Sequence, residues 1–251
     1  MTNLKKMLQG DKLLIAPGVI DAIGARACEL AGFPACYMTG SGVSAAHGYP
    51  DMGVLTMTEM AASVRRISSS VAVPLIADGD TGYGNELNVI RAVREYEFAG
   101  AAAIQIEDQV FPKRCGHFDK KQIIPSNDFV LKVKAAVSAR RSPDFLIVAR
   151  TDAIAIEGFD AAIDRANAAL DAGADVAFVE APVDLEQMRL VPERVKGPCL
   201  LNIVWRGKTP PVRFSDVEEM GYKIAILPSI LLKSYMGVVT EILEEANKLG
   251  E

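Results

Sequence analysis

Eight times along the chain, a short apolar run passes through a polar or glycine-rich loop into a longer stretch of helical character. The runs read as strands at Leu13–Pro17, Ala35–Thr39, Val73–Ala77, Ala102–Glu107, Phe145–Arg150, Asp175–Glu180, Cys199–Ile203 and Lys223–Leu227. Helices are expected near Ile20–Ala31, Thr58–Ser70, Glu86–Ala99, Asn127–Arg141, Phe159–Ala172, Leu185–Val195 and Phe214–Met220, with a last one after Pro228. Gly32, Gly100, Gly173 and Gly221 stand just past helix ends, where a left-handed residue is wanted. Eight such alternations predict a (β/α)₈ barrel. An open, doubly wound sheet is the competitor, but it usually carries a glycine-rich phosphate loop after its first strand. Here that position reads Pro17-Gly18-Val19-Ile20-Asp21, which is no such loop. The whole chain, 1–251, is expected to form one barrel domain with a gating loop near 111–125 and a short C-terminal helix.

In a barrel of this kind, chemistry gathers where strands end. Tyr37 and Thr39 end the second run, Asp78 and Asp80 follow the third, and Glu107 with Asp108 ends the fourth. Arg150 and Asp152 end the fifth, Glu180 the sixth and Asn202 the seventh, whereas strand starts show no such collection. One polar residue at a strand end is an ordinary loop cap. Six strands in succession ending this way predict a site.

Within that ring, Asp78-Gly79-Asp80-Thr81-Gly82-Tyr83-Gly84 is the most pointed stretch. Alternation along a strand puts residues two apart on one face, so Asp78 and Asp80 are expected to point the same way. Two such carboxylates at the mouth of a hydrophobic strand suit a hard divalent cation, Mg²⁺ above all, with Mn²⁺ as the alternative. The same residues would equally serve as a helix cap and an Asx-turn. A second stretch, Lys113-Arg114-Cys115-Gly116-His117, sets a thiol among cationic neighbours, which lowers its pKa and makes proton exchange near neutral pH feasible. A surface thiol and a loop histidine with one hydrogen bond are the plain alternatives.

Composition narrows the field of partners. A net charge of −5 without a basic run argues against nucleic acid and against an anionic membrane surface. The first residues lead into no signal-peptide core, no apolar stretch is long enough to span a bilayer, and the four cysteines show no C-x-x-C spacing; a reduced, cytoplasmic setting is expected. Cys28, Cys36 and Cys199 read as small core residues.

Taken together, the motifs Tyr37-Met38-Thr39-Gly40-Ser41-Gly42, Pro50-Asp51-Met52-Gly53, Asp78 through Gly84, Glu107-Asp108-Gln109, Lys113 through His117 and Ala149-Arg150-Thr151-Asp152-Ala153 resemble the isocitrate lyase and phosphoenolpyruvate mutase superfamily. The likeness runs from about Ala16 to Pro228 and is nearest to the methylisocitrate lyase and 2-alkylmalate lyase branch. Mutases and decarboxylases of the superfamily lack the cysteine, so the resemblance implies carbon–carbon cleavage of a 2-hydroxy di- or tricarboxylate to pyruvate or glyoxylate. It implies a metal held by Asp78, with Asp80 and Glu107 acting through waters and Asp51 nearby. It also implies that backbone N–H groups around Thr39, Gly40 and Ser41 hold a keto-acid carboxylate beside Tyr37 and Arg150. Cys115 would protonate the departing carbanion, with Lys113, His117 and Glu180 in the same machinery and Arg114, Gly116, Asn202 and Arg206 around the substrate.

Departures from the family pattern are Gly79 for the usual alanine, Tyr83 for phenylalanine, and Trp205 where relatives carry glutamate; the last implies an altered distal pocket. Members exchange a C-terminal helix between subunits, so a homodimer or homotetramer is implied, and here one helix over about Ser229–Leu249 must cover the last strand or be exchanged. Oxaloacetate hydrolysis, phosphonate chemistry and a non-catalytic keto-acid-binding module are the competing functions.

Overall fold

The computed structural model describes residues 3–114, 121–204, 207 and 209–249. In chain order its elements are α1 (Leu4–Met7), β1 (Leu14–Val19), α2 (Ala22–Leu30), β2 (Cys36–Met38), α3 (Gly40–Ala46), α4 (Met57–Ser68), β3 (Leu75–Asp78), α5 (Glu86–Phe98), β4 (Ala103–Glu107) and α6 (Ser126–Ala139). There follow β5 (Leu146–Thr151), α7 (Ile154–Glu157), α8 (Phe159–Asp171), β6 (Val176–Val179), α9 (Leu185–Arg194), β7 (Cys199–Asn202), α10 (Phe214–Glu219), β8 (Ile224–Leu227) and α11 (Ile230–Lys248). The eight strands are parallel and close in sequence order, β8 pairing with β1 through Leu14 opposite Ile224 and Pro17 opposite Leu227. This is the (β/α)₈ barrel expected from the alternation.

Strand period explains both the core and the site. Every second residue faces inward, and from β3 to β7 the inward column begins apolar and ends polar: Ile76 then Asp78, Ala103 then Gln105 and Glu107, Leu146 and Val148 then Arg150, Val176 and Phe178 then Glu180, Leu200 then Asn202. The apolar members pack as one buried cluster that also holds Leu14, Ala16, Tyr37 and, from α1, Leu4. A larger cluster fills the layer between the sheet and α2, α4 and α5. The barrel is therefore a packed core capped by a polar layer on its C-terminal face.

Helix starts follow local capping chemistry. Asp21 accepts from Gly24 N–H at 2.7 Å and opens α2, so the helix begins at Ala22 rather than Ile20. Thr56 and Glu59 form a capping box on α4. The four glycines expected past helix ends all take positive φ, between 86° and 103°. Three short helices were not legible in the sequence. The clearest is α3, which starts at Gly40 and runs through Gly42, residues whose poor helix propensity hides it.

The C-terminal helix departs from an ordinary barrel helix. No residue of α11 is buried, and Tyr235, Met236, Val238, Ile242 and Leu243 are more than half exposed. Its contacts run to β1, and Leu231 packs against the cluster near α2. Among the described residues, no helix is long and apolar enough to cross a membrane.

Candidate active site

The polar ends of the inward columns meet at the mouth of the barrel. Asp78 closes β3, and its two oxygens accept three N–H groups: Gly40 N–H on Oδ2 at 3.2 Å, with Asp80 N–H at 3.1 Å and Gln105 Nε2 at 3.3 Å on Oδ1. The expected Asx-turn is thus present. The helix cap is not, because Asn85 caps α5. Strand alternation does not explain the pairing of Asp78 with Asp80, since β3 ends at Asp78 and Asp80 takes a left-handed φ of 48°. The turn itself brings the second carboxylate back toward the first. It continues the ladder with β4 through Gly79 N–H to Gln105 C=O and Glu107 N–H to Asp80 C=O, both at 2.9 Å.

That close approach explains Gly79. A Cβ there would lie 2.8 Å from the Gln105 carbonyl oxygen and 2.7 Å from Ile104 Cγ1. A side chain can turn away, but a carbonyl paired in a barrel ladder cannot. Gly79→Ala is therefore expected to destabilise the fold by about 1–3 kcal/mol, read as a lower melting midpoint by circular dichroism. An unchanged midpoint would show that β4 yields to the methyl group.

Lys113 is the cation of this corner. Its Nζ pairs with Asp51 and lies 3.0 Å from Asp80 Oδ1, so its charge is directed at carboxylates of the Asp78–Asp80 corner. Burial acts to lower the ammonium pKa, but Asp80, Asp51, Glu107 and Asp78 outweigh it and hold Lys113 firmly protonated. Burial raises Asp80 to about 6, opposed by Lys113 and reinforced by Asp78 and Asp51. Tyr37 lies beneath the mouth, its hydroxyl donating to Gln105 Oε1 at 3.0 Å; burial, then Asp78, push its pKa well up and keep the phenol protonated.

Across the mouth, Arg150 gathers three carboxylates. Its Nε lies 2.9 Å from Asp152 Oδ2 and 3.3 Å from Glu107 Oε2, and an Nη lies 3.6 Å from Glu180 Oε1. The guanidinium sits 5.1 Å over the Phe178 ring, which limits its freedom. Asp152 also takes Lys121 Nζ at 2.7 Å; despite full burial, Arg150 and Lys121 hold its pKa down. Glu107 is raised well above its usual range by burial, with Arg150 opposing and Asp152 reinforcing. Asn202 donates to both oxygens of Glu180, at 3.3 and 3.2 Å.

Thr39 and Ser41 lie at the start of α3 with their hydroxyls 3.0 Å apart. The Gly40 N–H beside them is turned to Asp78. Arg114 is tied at its backbone, its N–H donating to Gln109 Oε1 and its carbonyl accepting from Gln109 Nε2. Cys115, Gly116, His117, Trp205 and Arg206 lie outside the described residues. Cys28, Cys36 and Cys199 are free and buried, as expected of core thiols.

The donor set suits a hard cation. Carboxylates of Asp51, Asp78, Asp80, Glu107, Asp152 and Glu180 stand with Lys113, Arg150 and Lys121 as the described cations, leaving negative charge in a buried place. Among the described residues, Glu107 Oε1 is a buried acceptor without a hydrogen-bond partner, while Asp80 Oδ1 is paired with Lys113 Nζ at 3.0 Å; the unpaired oxygen is a costly condition that a cation or its waters would relieve. Among the described residues no three such side chains converge tightly enough to grip one ion unaided. One direct carboxylate with the others acting through water fits this spacing.

Sequence reasoning missed Gln105, Lys121 and the pair Asp108–Arg165. Asp108 accepts from Thr151 Oγ1 at 2.7 Å and from Asp152 N–H at 2.9 Å, and so fixes the end of β5. Gln105 had a readable signal, because it stands two residues before Glu107 in the same inward column. The partner of Lys121 had none.

Comparison with known proteins agrees with this architecture. The phosphoenolpyruvate phosphomutase family model matches residues 4–247. The 2,3-dimethylmalate lyase of Eubacterium barkeri is 48% identical over 90% of this chain and 79% of the relative. The 2-methylisocitrate lyase of Aeropyrum pernix is 44% identical over 98% of this chain and 80% of its own length. A crystal structure of 2,3-dimethylmalate lyase superposes with a TM-score of 0.95 at 40% identity, covering 99% of this chain and 84% of that one. Barrel, polar mouth and near-complete match agree, and the chain belongs to the phosphoenolpyruvate mutase/isocitrate lyase superfamily.

Proposed function

We propose that this protein is a carbon–carbon lyase that cleaves a 2-hydroxy di- or tricarboxylate of the 2-alkylmalate or 2-methylisocitrate type to pyruvate or glyoxylate and a second carboxylate. The observation that carries the reading is the ring of carboxylates around Asp78 facing Arg150 and Lys113, together with the similarity to two named lyases of this chemistry. Asp78 would hold a Mg²⁺ ion directly, with Asp80 and Glu107 reaching it through water and Asp51 steadying the corner by way of Lys113. When bound, the ion supplies charge stabilisation to the keto-acid oxygens.

The chain's own groups then divide the work. Tyr37 and Arg150 stand beside the oxygen on which charge develops, and a protonated phenol and a guanidinium both stabilise an oxyanion. Thr39, Gly40 and Ser41 orient the keto-acid carboxylate. As the substrate hydroxyl gives up its proton to a buried carboxylate of the mouth and becomes a carbonyl, the adjacent C–C bond breaks and the bonding pair passes to the other fragment as a carboxylate-stabilised carbanion. Cys115 Sγ–H delivers the proton that quenches it. His117, Glu180 and Asn202 hold the carboxylate of that second fragment or the segment near 111–125 that gates the mouth, with Arg114 and Gly116 at its edge and Arg206 toward the distal end. The protein acts in the cytoplasm, a compartment that suits a working thiol.

The assembly is a homo-oligomer, dimer or tetramer. The bare apolar face of α11 supports this, together with a groove of about 640 Å³ beside it, lined by Ile203, Val204, Pro210, Leu227 and Ile230 and, among the described residues, by none of the charged site residues. Such paired apolar surfaces are what a subunit interface would cover.

The test is keto-acid release from a panel of methylisocitrate, isocitrate, citramalate, alkylmalates and oxaloacetate with Mg²⁺ present. Cleavage of one or more hydroxy acids is expected. Turnover of oxaloacetate alone would overturn the lyase reading in favour of hydrolysis.

A further inference from the structure

Gln105 sits in the inward column of β4, one step below Glu107, and is fully buried. Its carboxamide touches two residues of the site at once. Nε2 is 3.3 Å from Asp78 Oδ1, and Oε1 is 3.0 Å from the Tyr37 hydroxyl. Chemistry decides which way this amide faces. An ionised carboxylate can only accept, so the NH₂ end must meet Asp78 and the carbonyl end must meet Tyr37. The Tyr37 hydroxyl must then donate downward, which leaves its oxygen lone pairs directed away from Gln105.

We infer that Gln105 is a positioning residue: its amide holds Asp78 in its ligating orientation and sets the direction of the Tyr37 O–H. This rests on the metal-dependent reading above and deepens it. Asp78 Oδ1 is shared between the backbone N–H of Asp80 and the amide of Gln105, while among the described residues Oδ2 takes only Gly40 N–H. Oδ2 is thus the less encumbered oxygen, and the two donors on Oδ1 fix the plane in which it is presented. The Gln105 carbonyl in turn keeps Tyr37 as a neutral, oriented phenol rather than a free rotor. Outer partners of this kind typically change metal affinity or activity by about 10–100-fold when removed.

The site must be two-faced, which makes a sharp set of variants. Gln105→Leu removes both ends. Gln105→Glu presents an acceptor to a carboxylate and repels it. Gln105→His keeps one N–H and one acceptor nitrogen, so it preserves the polarity in a different shape. Mn²⁺ binding followed by electron paramagnetic resonance, beside kcat and KM, reads the effect on protein checked by circular dichroism. Expected are about 10–100-fold weaker Mn²⁺ binding and lower kcat in Gln105→Leu and Gln105→Glu, with substantial recovery of both in Gln105→His. Because Gln105 acts partly through Tyr37, Gln105→Leu combined with Tyr37→Phe is expected to lower kcat less than the product of the two single losses.

Asp78→Asn is the control that separates the two claims. Unchanged Mn²⁺ affinity in Asp78→Asn would sink the metal reading itself. Weakened binding there, with wild-type affinity and kcat in Gln105→Leu, would overturn the role of Gln105 alone. Should Gln105→Leu not fold, equal behaviour of the His and Glu variants overturns the inference, and recovery confined to His sustains it.

Discussion

Asp78→Ala is expected to abolish turnover and tight binding of a divalent cation, the largest effect of any single change in this protein. Both oxygens of Asp78 are oriented by N–H donors, from Gly40, Asp80 and Gln105. Alanine removes the ligand and leaves those three buried donors without an acceptor. Each unsatisfied group costs about 1–3 kcal/mol, offset in part because a carboxylate beside Asp80 and Glu107 is itself unfavourable in a buried setting. The fold should therefore survive with a lowered melting midpoint. Calorimetry with Mg²⁺ and pyruvate or oxalate checks the main claim. An unchanged affinity would mean that the ion, if there is one, is held elsewhere.

Cys115→Ser is expected to separate binding from chemistry. A serine hydroxyl is too weak an acid to quench a carbanion, so cleavage should fall by several orders of magnitude, each tenfold corresponding to about 1.4 kcal/mol of barrier. Keto-acid binding should stay near that of the unaltered protein, since the groups proposed to bind it are the Asp78 corner, Tyr37 and Arg150. Pre-steady-state keto-acid release beside a titration with pyruvate distinguishes the two. Full activity in Cys115→Ser would point to hydrolysis or decarboxylation, routes that need no thiol at this place. The structure alters one part of the reasoning for this cysteine. Lys113, two residues before it, directs its ammonium to Asp51 and Asp80. Its charge is therefore largely neutralised by the Asp78–Asp80 corner.

The tie between Arg114 and Gln109 has a related consequence. Two hydrogen bonds at 3.0 and 2.9 Å fix the backbone immediately before Cys115. On the far side, Lys121 is held to Asp152, which is itself a partner of Arg150. The described residues on either side of 115–120 are thus tied down, Arg114 to Gln109 and Lys121 to Asp152 of the polar mouth.

The order of the eight strands and of the eight helices expected after them, the closed barrel and the polar rim were legible in the residues. They rest on short-range periodicity: alternation of period two along a strand and glycine beyond a helix end are properties of neighbouring residues. Asp78, Glu107, Arg150, Glu180 and Asn202 could be placed at one mouth because parallel strands of similar length bring their ends to one face. Other features depended on contacts between residues far apart in the chain. Lys113 finds Asp51 across sixty-two positions, and no local pattern states that pairing. Asp80 reaches the site through a left-handed turn that pairs with β4, not through strand alternation. Gly79 packs against the Gln105 carbonyl, and Gln105 itself acquires a role only when β2, β3 and β4 lie side by side. Periodicity settles which residues face inward; closure of the barrel decides which of them touch, because only the folded sheet sets the distances over which charges and hydrogen bonds act.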